Sequence, residues 1–155
     1  MKPWLALLAL LLTAPALTLA ADHIAVHDAW VRAAPPGTTV LAAYLIIDNH
    51  SASTQTLSGA SSPQFENVEI HRTEVKNGVA SMSAVPRVAI PAHGTLRFEP
   101  NGYHLMLIGP RKALLAGDHV ELRVQFDGQP AQVIHAPVRA DAEPADDTMQ
   151  HHHHD

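Results

Sequence analysis

Apolar and polar residues alternate over short segments along most of the chain, and turn-forming residues separate one segment from the next. Gly and Pro recur at short intervals, and no longer window carries a helical period. The alternation predicts strands at these positions: Ile24–Arg32, Thr39–Asp48, Glu66–Glu74, Val79–Val85, Thr95–Glu99, Tyr103–Ile108, His119–Phe126 and Ala131–Val138. Short strands at this spacing predict an all-β fold, an antiparallel β-sandwich or barrel.

The amino-terminal segment departs from the strand pattern. Residues 1–20 combine a positive start at Lys2 with a short apolar run and small residues before Ala20, which is typical of a secretory signal peptide. The apolar run is too short to favour a spanning helix, although a retained anchor is the alternative. We expect cleavage near Ala20, export to a bacterial periplasm, and a mature domain over residues 21–140 that does not insert into the membrane.

The carboxyl-terminal segment, residues 141–155, is acidic, lacks Lys and Arg, and carries a run of four histidines. Because it has almost no apolar surface to bury, we expect a disordered tail. An artificial affinity tag is the alternative explanation of the histidines. A natural tail is favoured because such tags usually carry a longer run and seldom accompany an intact signal peptide.

Composition excludes several classes of function. The chain has no Cys, which excludes a disulfide scaffold, thiolate metal sites and a Cys nucleophile. A net charge of −5 argues against a nucleic-acid binder, which needs a basic face. The sequence contains no Gly-x-Ser-x-Gly, no His-Glu-x-x-His and no Gly-rich phosphate loop, so we do not expect an enzyme. The unusual feature is the count of 12 His.

The two methionines of the body, Met82 and Met106, each lie close to a histidine. His104 and Met106 are two residues apart in a predicted strand, so their side chains point to the same face. An imidazole and a thioether therefore project side by side.

A hairpin predicts the second histidine–methionine pair. Asn77-Gly78 is a strong signal for a tight β-turn, and a loop of these residues pairs Thr73 with Met82. His71 and Met82 are then diagonal neighbours on one face, within reach of long side chains. The two pairs together predict a four-ligand site with two nitrogens and two sulfurs.

The ligand types select the metal. Thioether sulfur is soft and uncharged, so it binds Zn²⁺, Mg²⁺ and Ca²⁺ poorly and favours Cu(I). Two Met and two His bring no net charge, which suits a monovalent ion and an exchangeable site. Taken singly, a strand Met more often packs in a core and a strand His more often lies at the surface. Their joint placement favours the metal site.

The sequence resembles the periplasmic copper chaperones of the PCu(A)C type, whose signature is H-x10-M-x21-H-x-M. The signature residues match at every interval, and flanking motifs extend the likeness over most of the body: His71, Met82, His104 and Met106, with Ala29–Ala33, Pro35-Pro36, Ala43–Leu45, Val68–His71, Gly102–Leu107 and Gly117-Asp118.

The resemblance implies a cupredoxin-like β-sandwich that holds Cu(I) at those four residues. It also implies delivery of copper to the binuclear centre of the cytochrome c oxidase copper-centre subunit, directly or through a Sco-type copper protein. Separately from the resemblance, we expect a monomer. A periplasmic copper buffer or resistance protein with the same site is the alternative. A less favoured alternative is a metal-free β-sandwich that acts in adhesion or assembly.

Further metal donors lie outside the signature. The tail donors are a flexible second collector able to hold Cu(II): Met149, His151, His152, His153 and His154. If cleavage follows Ala20, His23 becomes the third residue after a free amine, an arrangement that wraps Cu(II) in a square-planar nitrogen set. The other histidines have no partner at a telling distance and are interpreted as surface or structural residues: His27, His50, His93, His119 and His135.

Overall fold

The computed structural model describes residues 23–140, which form ten β-strands. The strands are β1 (Ile24–Arg32), β2 (Val40–Asn49), β3 (Gln55–Ser61), β4 (Phe65–Lys76), β5 (Val79–Ala84), β6 (Val88–Ile90), β7 (Thr95–Phe98), β8 (Tyr103–Pro110), β9 (His119–Phe126) and β10 (Gln132–Arg139). Within these residues no helix is long and apolar enough to cross a membrane. The predicted signal peptide and the tail after residue 140 lie outside the described residues.

The all-β class is confirmed, and every predicted strand is present within two residues of its expected ends. Two further strands were not predicted. Gln55–Ser61 is made largely of small and polar residues without clear alternation, and Val88–Ile90 has only 3 residues. Both pair with each other, so tertiary pairing rather than local pattern makes them strands.

The strands form one mixed sheet in the order β5-β4-β8-β7-β2-β1-β10-β9-β3-β6, with an additional pairing between β8 and β2. Most neighbours are antiparallel, as expected. Two pairings are parallel, β1 with β10 and β7 with β8. The β1–β10 pairing joins the half that contains β4, β5 and β8 to the half that contains β3, β6 and β9.

A single hydrophobic core gathers alternate residues from both halves of the sheet. Along β2 the alternate residues Leu41, Ala43, Leu45 and Ile47 belong to this core, and along β9 every second residue is buried. The largest fully buried side chains include Phe65 and Phe126. Burying each large apolar side chain contributes about 1.5–3 kcal/mol, so this core fixes which faces of β4 and β8 point outward.

The β4–β5 hairpin has the register that its turn predicts. Asn77 and Gly78 both have positive φ angles, 53° and 76°, as a type I′ turn requires. The loop is therefore two residues long, and Thr73 pairs with Met82 while His71 pairs with Ala84. Every residue of β5 is exposed, and β5 is the edge strand of the sheet.

Candidate metal site

Three neighbouring strands carry the four predicted ligands on one face of the sheet. β4 lies between β5 and β8, and His71 on β4 is directly opposite His104 on β8. Directly opposed residues point to the same side, so the imidazoles face each other, with ring centroids 5.9 Å apart. Met106 is opposite Glu69, and Met82 is opposite Thr73, on this same face by alternation.

The apolar residues between the ligands hold this face outward. Leu105 and Leu107 alternate with His104 and Met106 along β8, and both leucines are buried in the core. Ile70, which precedes His71, is buried beside them and pairs with Leu105. A strand has a side-chain period of two, so burying these residues turns the histidines and methionines away from the core.

His71 is held by a carboxylate, and one ring nitrogen is left without a partner. Its Nε2 lies 2.8 Å from Oε2 of Glu69, and its side chain is 13% exposed. Since an ionised carboxylate only accepts, Nε2 donates and the lone pair is on Nδ1. Nδ1 is buried and has no hydrogen-bond partner. A buried imidazole lone pair of this kind fits a metal ligand.

His104 is oriented by its own strand. Its Nδ1 lies 3.2 Å from the carbonyl oxygen of Gly102, and the residue is only 7% exposed. A carbonyl only accepts, so Nδ1 donates and the lone pair is on Nε2. A hydrogen bond from the second ring nitrogen is the usual way in which proteins fix the tautomer of a metal-binding histidine.

The two thioethers differ in accessibility. Met82 is 54% exposed on the edge strand, whereas Met106 is partly buried between β4 and β2. Within residues 23–140 no group of three or more His, Cys, Asp or Glu is arranged to hold a metal ion. A metal at His71 and His104 therefore depends on sulfur from the methionines.

Glu69 is the residue of this site that the sequence analysis did not identify. It lies two residues before His71 on the same strand, so alternation places both on one face. The sequence shows that Glu69 and His71 share a face of the strand, but nothing in it indicates which of several carboxylates contacts His71.

The secondary predicted donors are only partly described. Met149 and the four tail histidines, His151–His154, lie outside the described residues. His23 lies just before β1, and its ring is 4.6 Å from that of His50. The interpretation of His50 as a residue without a partner was therefore wrong, because the β1–β2 pairing brings it opposite His23.

His27 also has partners that its sequence position does not reveal. Nδ1 contacts Asp28 at 3.0 Å and Nε2 contacts Asp48 at 2.8 Å. These hydrogen bonds, the one to Asp48 foremost, raise the pKa of His27. Hydrogen bonds from Thr95 and then His27 lower the pKa of Asp48. We interpret these contacts of His27 as structural, because both ring nitrogens are occupied by carboxylates.

Comparison with known proteins gives the following relatives. A family model described as "Putative lipoprotein LpqE-like" matches residues 24–138. Lxx21020 of Leifsonia xyli subsp. xyli, whose name describes it in the same terms, is 34% identical over 120 residues, which are 77% of this chain and 71% of that protein. RP573 of Rickettsia prowazekii is 29% identical over 101 residues, 64% of this chain and 56% of that protein.

Solved structures share the fold. Cu(I)-bound DR1885 from Deinococcus radiodurans superimposes with a TM-score of 0.61 at 32% identity, covering 74% of this chain and 77% of that one. Apo DR1885 gives 0.61 at 30% identity, covering 91% and 95%. The copper-bound PCuAC domain from PmoF2 gives 0.64 at 22% identity, covering 76% and 93%, a likeness that bears on the fold alone.

Proposed function

Because the chain belongs to the LpqE-like family, we propose that it is an exported Cu(I)-binding metallochaperone whose ligands are His71, Met82, His104 and Met106. Copper as the bound metal is supported by DR1885 from Deinococcus radiodurans, whose Cu(I) form is 32% identical to this chain. The spacing of the four residues, which resembles the PCu(A)C signature, supports the same ligands in this chain.

One observation carries the proposal. His71 and His104 are directly opposed across β4 and β8, and the only two Met of the described residues share their face. Two imidazoles and two thioethers provide a neutral, soft donor set, which favours Cu(I) over Zn²⁺ and harder ions. The orphaned Nδ1 of His71 agrees with this assignment, because a buried lone pair without a donor is costly unless something binds it.

The geometry suits a carrier rather than a permanent cofactor site. Met82 lies on an exposed edge strand, so a ligand from another protein can approach the metal from that side. The other three donors lie on strands β4 and β8, which have neighbours on both sides. Copper would thus leave by exchange at Met82 first, while the histidines keep it in place. We assign no catalytic role to the site.

The destination that we propose is the binuclear copper centre of cytochrome c oxidase, reached directly or through a Sco-type protein. Support comes from the resemblance to the PCu(A)C chaperones and from the signal-like residues 1–20, which indicate periplasmic export. The lipoprotein names of the relatives also indicate an exported family.

A transfer assay tests the proposal. The full chain, loaded with one equivalent of Cu(I) under anaerobic conditions, is mixed with the apo copper domain of the oxidase subunit and, separately, with an apo Sco-type protein. Size-exclusion chromatography with metal analysis then follows the copper. We expect most of the copper to move to at least one acceptor.

The control for this assay is a chain with the four tail histidines, His151–His154, replaced by Ala. It should transfer copper to the same extent, because the proposed donor is the β4–β5–β8 site. Copper that stays on the chain with both acceptors would contradict delivery and indicate a buffer that uses the same ligands.

A further inference from the structure

Two further histidines face each other at the end of the sheet where β1 begins and β2 ends. His23 precedes β1 and His50 follows β2, and they continue the register that pairs Ile24 with Asn49. The backbone N–H of His50 donates to the carbonyl of His23 at 3.0 Å. The two rings are 4.6 Å apart at their centroids and tilted by 32°, and both residues are exposed.

The backbone that carries His50 is fixed on both sides. Asn49 and Ser51 are buried, with 1% and 2% exposure. The Nδ2 of Asn49 donates to backbone carbonyls of Ser53, Ile90 and Pro91, and its Oδ1 accepts from the N–H and hydroxyl of Ser51. Such a network fixes the backbone from which the imidazole of His50 projects, so little backbone freedom is lost on binding.

A carboxylate lies on the same face as this pair. Asp48 is two residues before His50, and alternation places both on one side of β2. His27 Nε2 and Thr95 Oγ1 hold its two oxygens at 2.8 Å and 2.5 Å. The Asp48 carboxylate, which is paired with His27, adds negative potential that favours a cation close to the imidazoles.

We propose that His23 and His50 form a second metal site, which takes a divalent, imidazole-preferring ion, Cu(II) foremost. Imidazole nitrogen binds Cu(II) and Zn(II) well, and Cu(II) is the tightest of the divalent first-row ions. No thioether of the described residues belongs to this end, because Met82 and Met106 are on β5 and β8. Among residues 23–140 no third His, Cys, Asp or Glu joins the pair in a metal-binding group, so the proposed site has two imidazole ligands from the described residues.

Paramagnetic NMR locates this site without reference to transfer. Substoichiometric Cu(II) is added to the ¹⁵N-labelled apo chain in which the four tail histidines, His151–His154, are replaced by Ala, and the amide peaks close to the ion are broadened. We expect selective loss of the Ile24, Asn49 and Ser51 amides. His50→Ala should restore these peaks and weaken the local Cu(II) affinity at least about tenfold, because one of two protein ligands is gone.

Matched variants separate this site from others. His135→Ala removes an exposed histidine from β10 and should leave the broadening at Ile24 and Ser51 unchanged. Broadening that persists there in His50→Ala but disappears in His23→Ala would overturn the proposal in favour of His23 acting with donors that precede it. Loss of peaks on β4 and β8 alone would overturn it as well. His50→Gln gives an independent variant of similar size if His50→Ala fails to fold.

The oxidation state sharpens the test. Titration with Cu(I) under reducing conditions should shift amides near His71 and His104 and leave those of Ile24 and Ser51 in place. The amides near His71 and His104 report the proposed Cu(I) site, and those of Ile24 and Ser51 report the second site. Failure of either proposal therefore leaves the other one standing. Cu(I) shifts at Ile24 and Ser51 equal to those near His71 would contradict the assigned preference.

Discussion

The molecule presents two pairs of histidines opposed across antiparallel strands, and the pairs differ in burial and in neighbours. His71 and His104 are largely buried, and two methionines share their face. His23 and His50 are exposed, and the carboxylate of Asp48 lies on their face of β2. The cross-strand geometry is common to both pairs, with ring centroids 5.9 Å and 4.6 Å apart.

We infer that the softness of the neighbouring ligands, more than the cross-strand placement of the histidines, decides which ion each proposed site prefers. Imidazole serves copper in either oxidation state and zinc as well, so a histidine pair alone is unselective. Thioethers on one face turn such a pair into a proposed Cu(I) site. At the other pair, where no thioether of the described residues lies, the carboxylate of Asp48 favours the divalent ion that we propose. Each prediction below removes one element of this contrast.

The largest effect should follow removal of sulfur. Met82→Leu combined with Met106→Leu should weaken Cu(I) binding by more than about a hundredfold, since second-shell partners alone are worth 10–100-fold and these are direct ligands. Competition with a chromophoric Cu(I) chelator measures the affinity. Met149→Leu makes the same chemical change outside the proposed site and should leave the tight affinity within about twofold. Unchanged affinity in the double variant would refute the four-ligand site.

Removal of the polar network beside His50 should affect stability more than any change on β5. Asn49→Ala removes the hydrogen bonds that a buried amide makes to three backbone carbonyls and to the N–H and hydroxyl of Ser51, which costs about 2–4 kcal/mol of unfolding free energy. Urea denaturation of the apo protein measures it. Ser81→Ala, at an exposed position of β5, should cost less than about 0.5 kcal/mol. Equal losses would mean that Asn49 is not a structural centre of that end.

A smaller effect on Cu(I) binding should follow loss of the Glu69 carboxylate. Glu69→Gln weakens the hydrogen bond that fixes the tautomer of His71, and we expect about tenfold weaker Cu(I) binding. The ¹⁵N shifts of the His71 ring should show a changed tautomer population in the apo protein. Glu74→Gln is the matched control, because Glu74 contacts Arg72 and Lys76 on the other face of β4. Equal effects of both variants would indicate net charge rather than positioning.

The smallest effect concerns His27 and pH. Its raised pKa means that the folded state binds the proton more tightly than the unfolded state, whose value is near 6.5. The resulting stability is complete below that value and is lost as pH rises through the folded pKa. The Tm of the wild type should exceed that of His27→Gln by at most a few degrees at about pH 5.5 and converge with it at about pH 8, because the pair is exposed and screened. A difference that grows with pH would reverse the assigned sign.

The sequence predicted the strands and one register but not the long-range pairings. Asn77-Gly78 fixes a two-residue loop, so the pairing of Thr73 with Met82 followed from local turn geometry. No such turn joins β4 to β8 or β1 to β2, and their registers depend on how the core packs. The opposition of His71 to His104 and of His23 to His50 was therefore not predictable from pattern alone.

Small strands and side-chain partners were also beyond the sequence. Gln55–Ser61 and Val88–Ile90 lack a strong pattern. Val88–Ile90 is a strand because it pairs with Gln55–Ser61, which itself pairs with β9 on its other side. Several carboxylates lie on the same face as a histidine, so the sequence could not tell that Glu69 contacts His71 or that Asp48 contacts His27. The donor types of the proposed Cu(I) site, in contrast, could be predicted from the sequence, because residues 21–140 contain only two Met and both are near a His.

The parallel pairing of β1 with β10 has a consequence for anything attached to this domain. Both strands run in the same direction, with Arg32 beside Arg139, so residues 23 and 140 lie at opposite ends of the pair, about 30 Å apart at ~3.3 Å per residue. A surface linker or fluorophore fused after residue 140 starts at the end of β1 that includes Trp30, which pairs with Tyr44 on the strand beside β8. One fused before residue 23 starts at the His50 end, so the choice of terminus decides which histidine pair an immobilised molecule exposes.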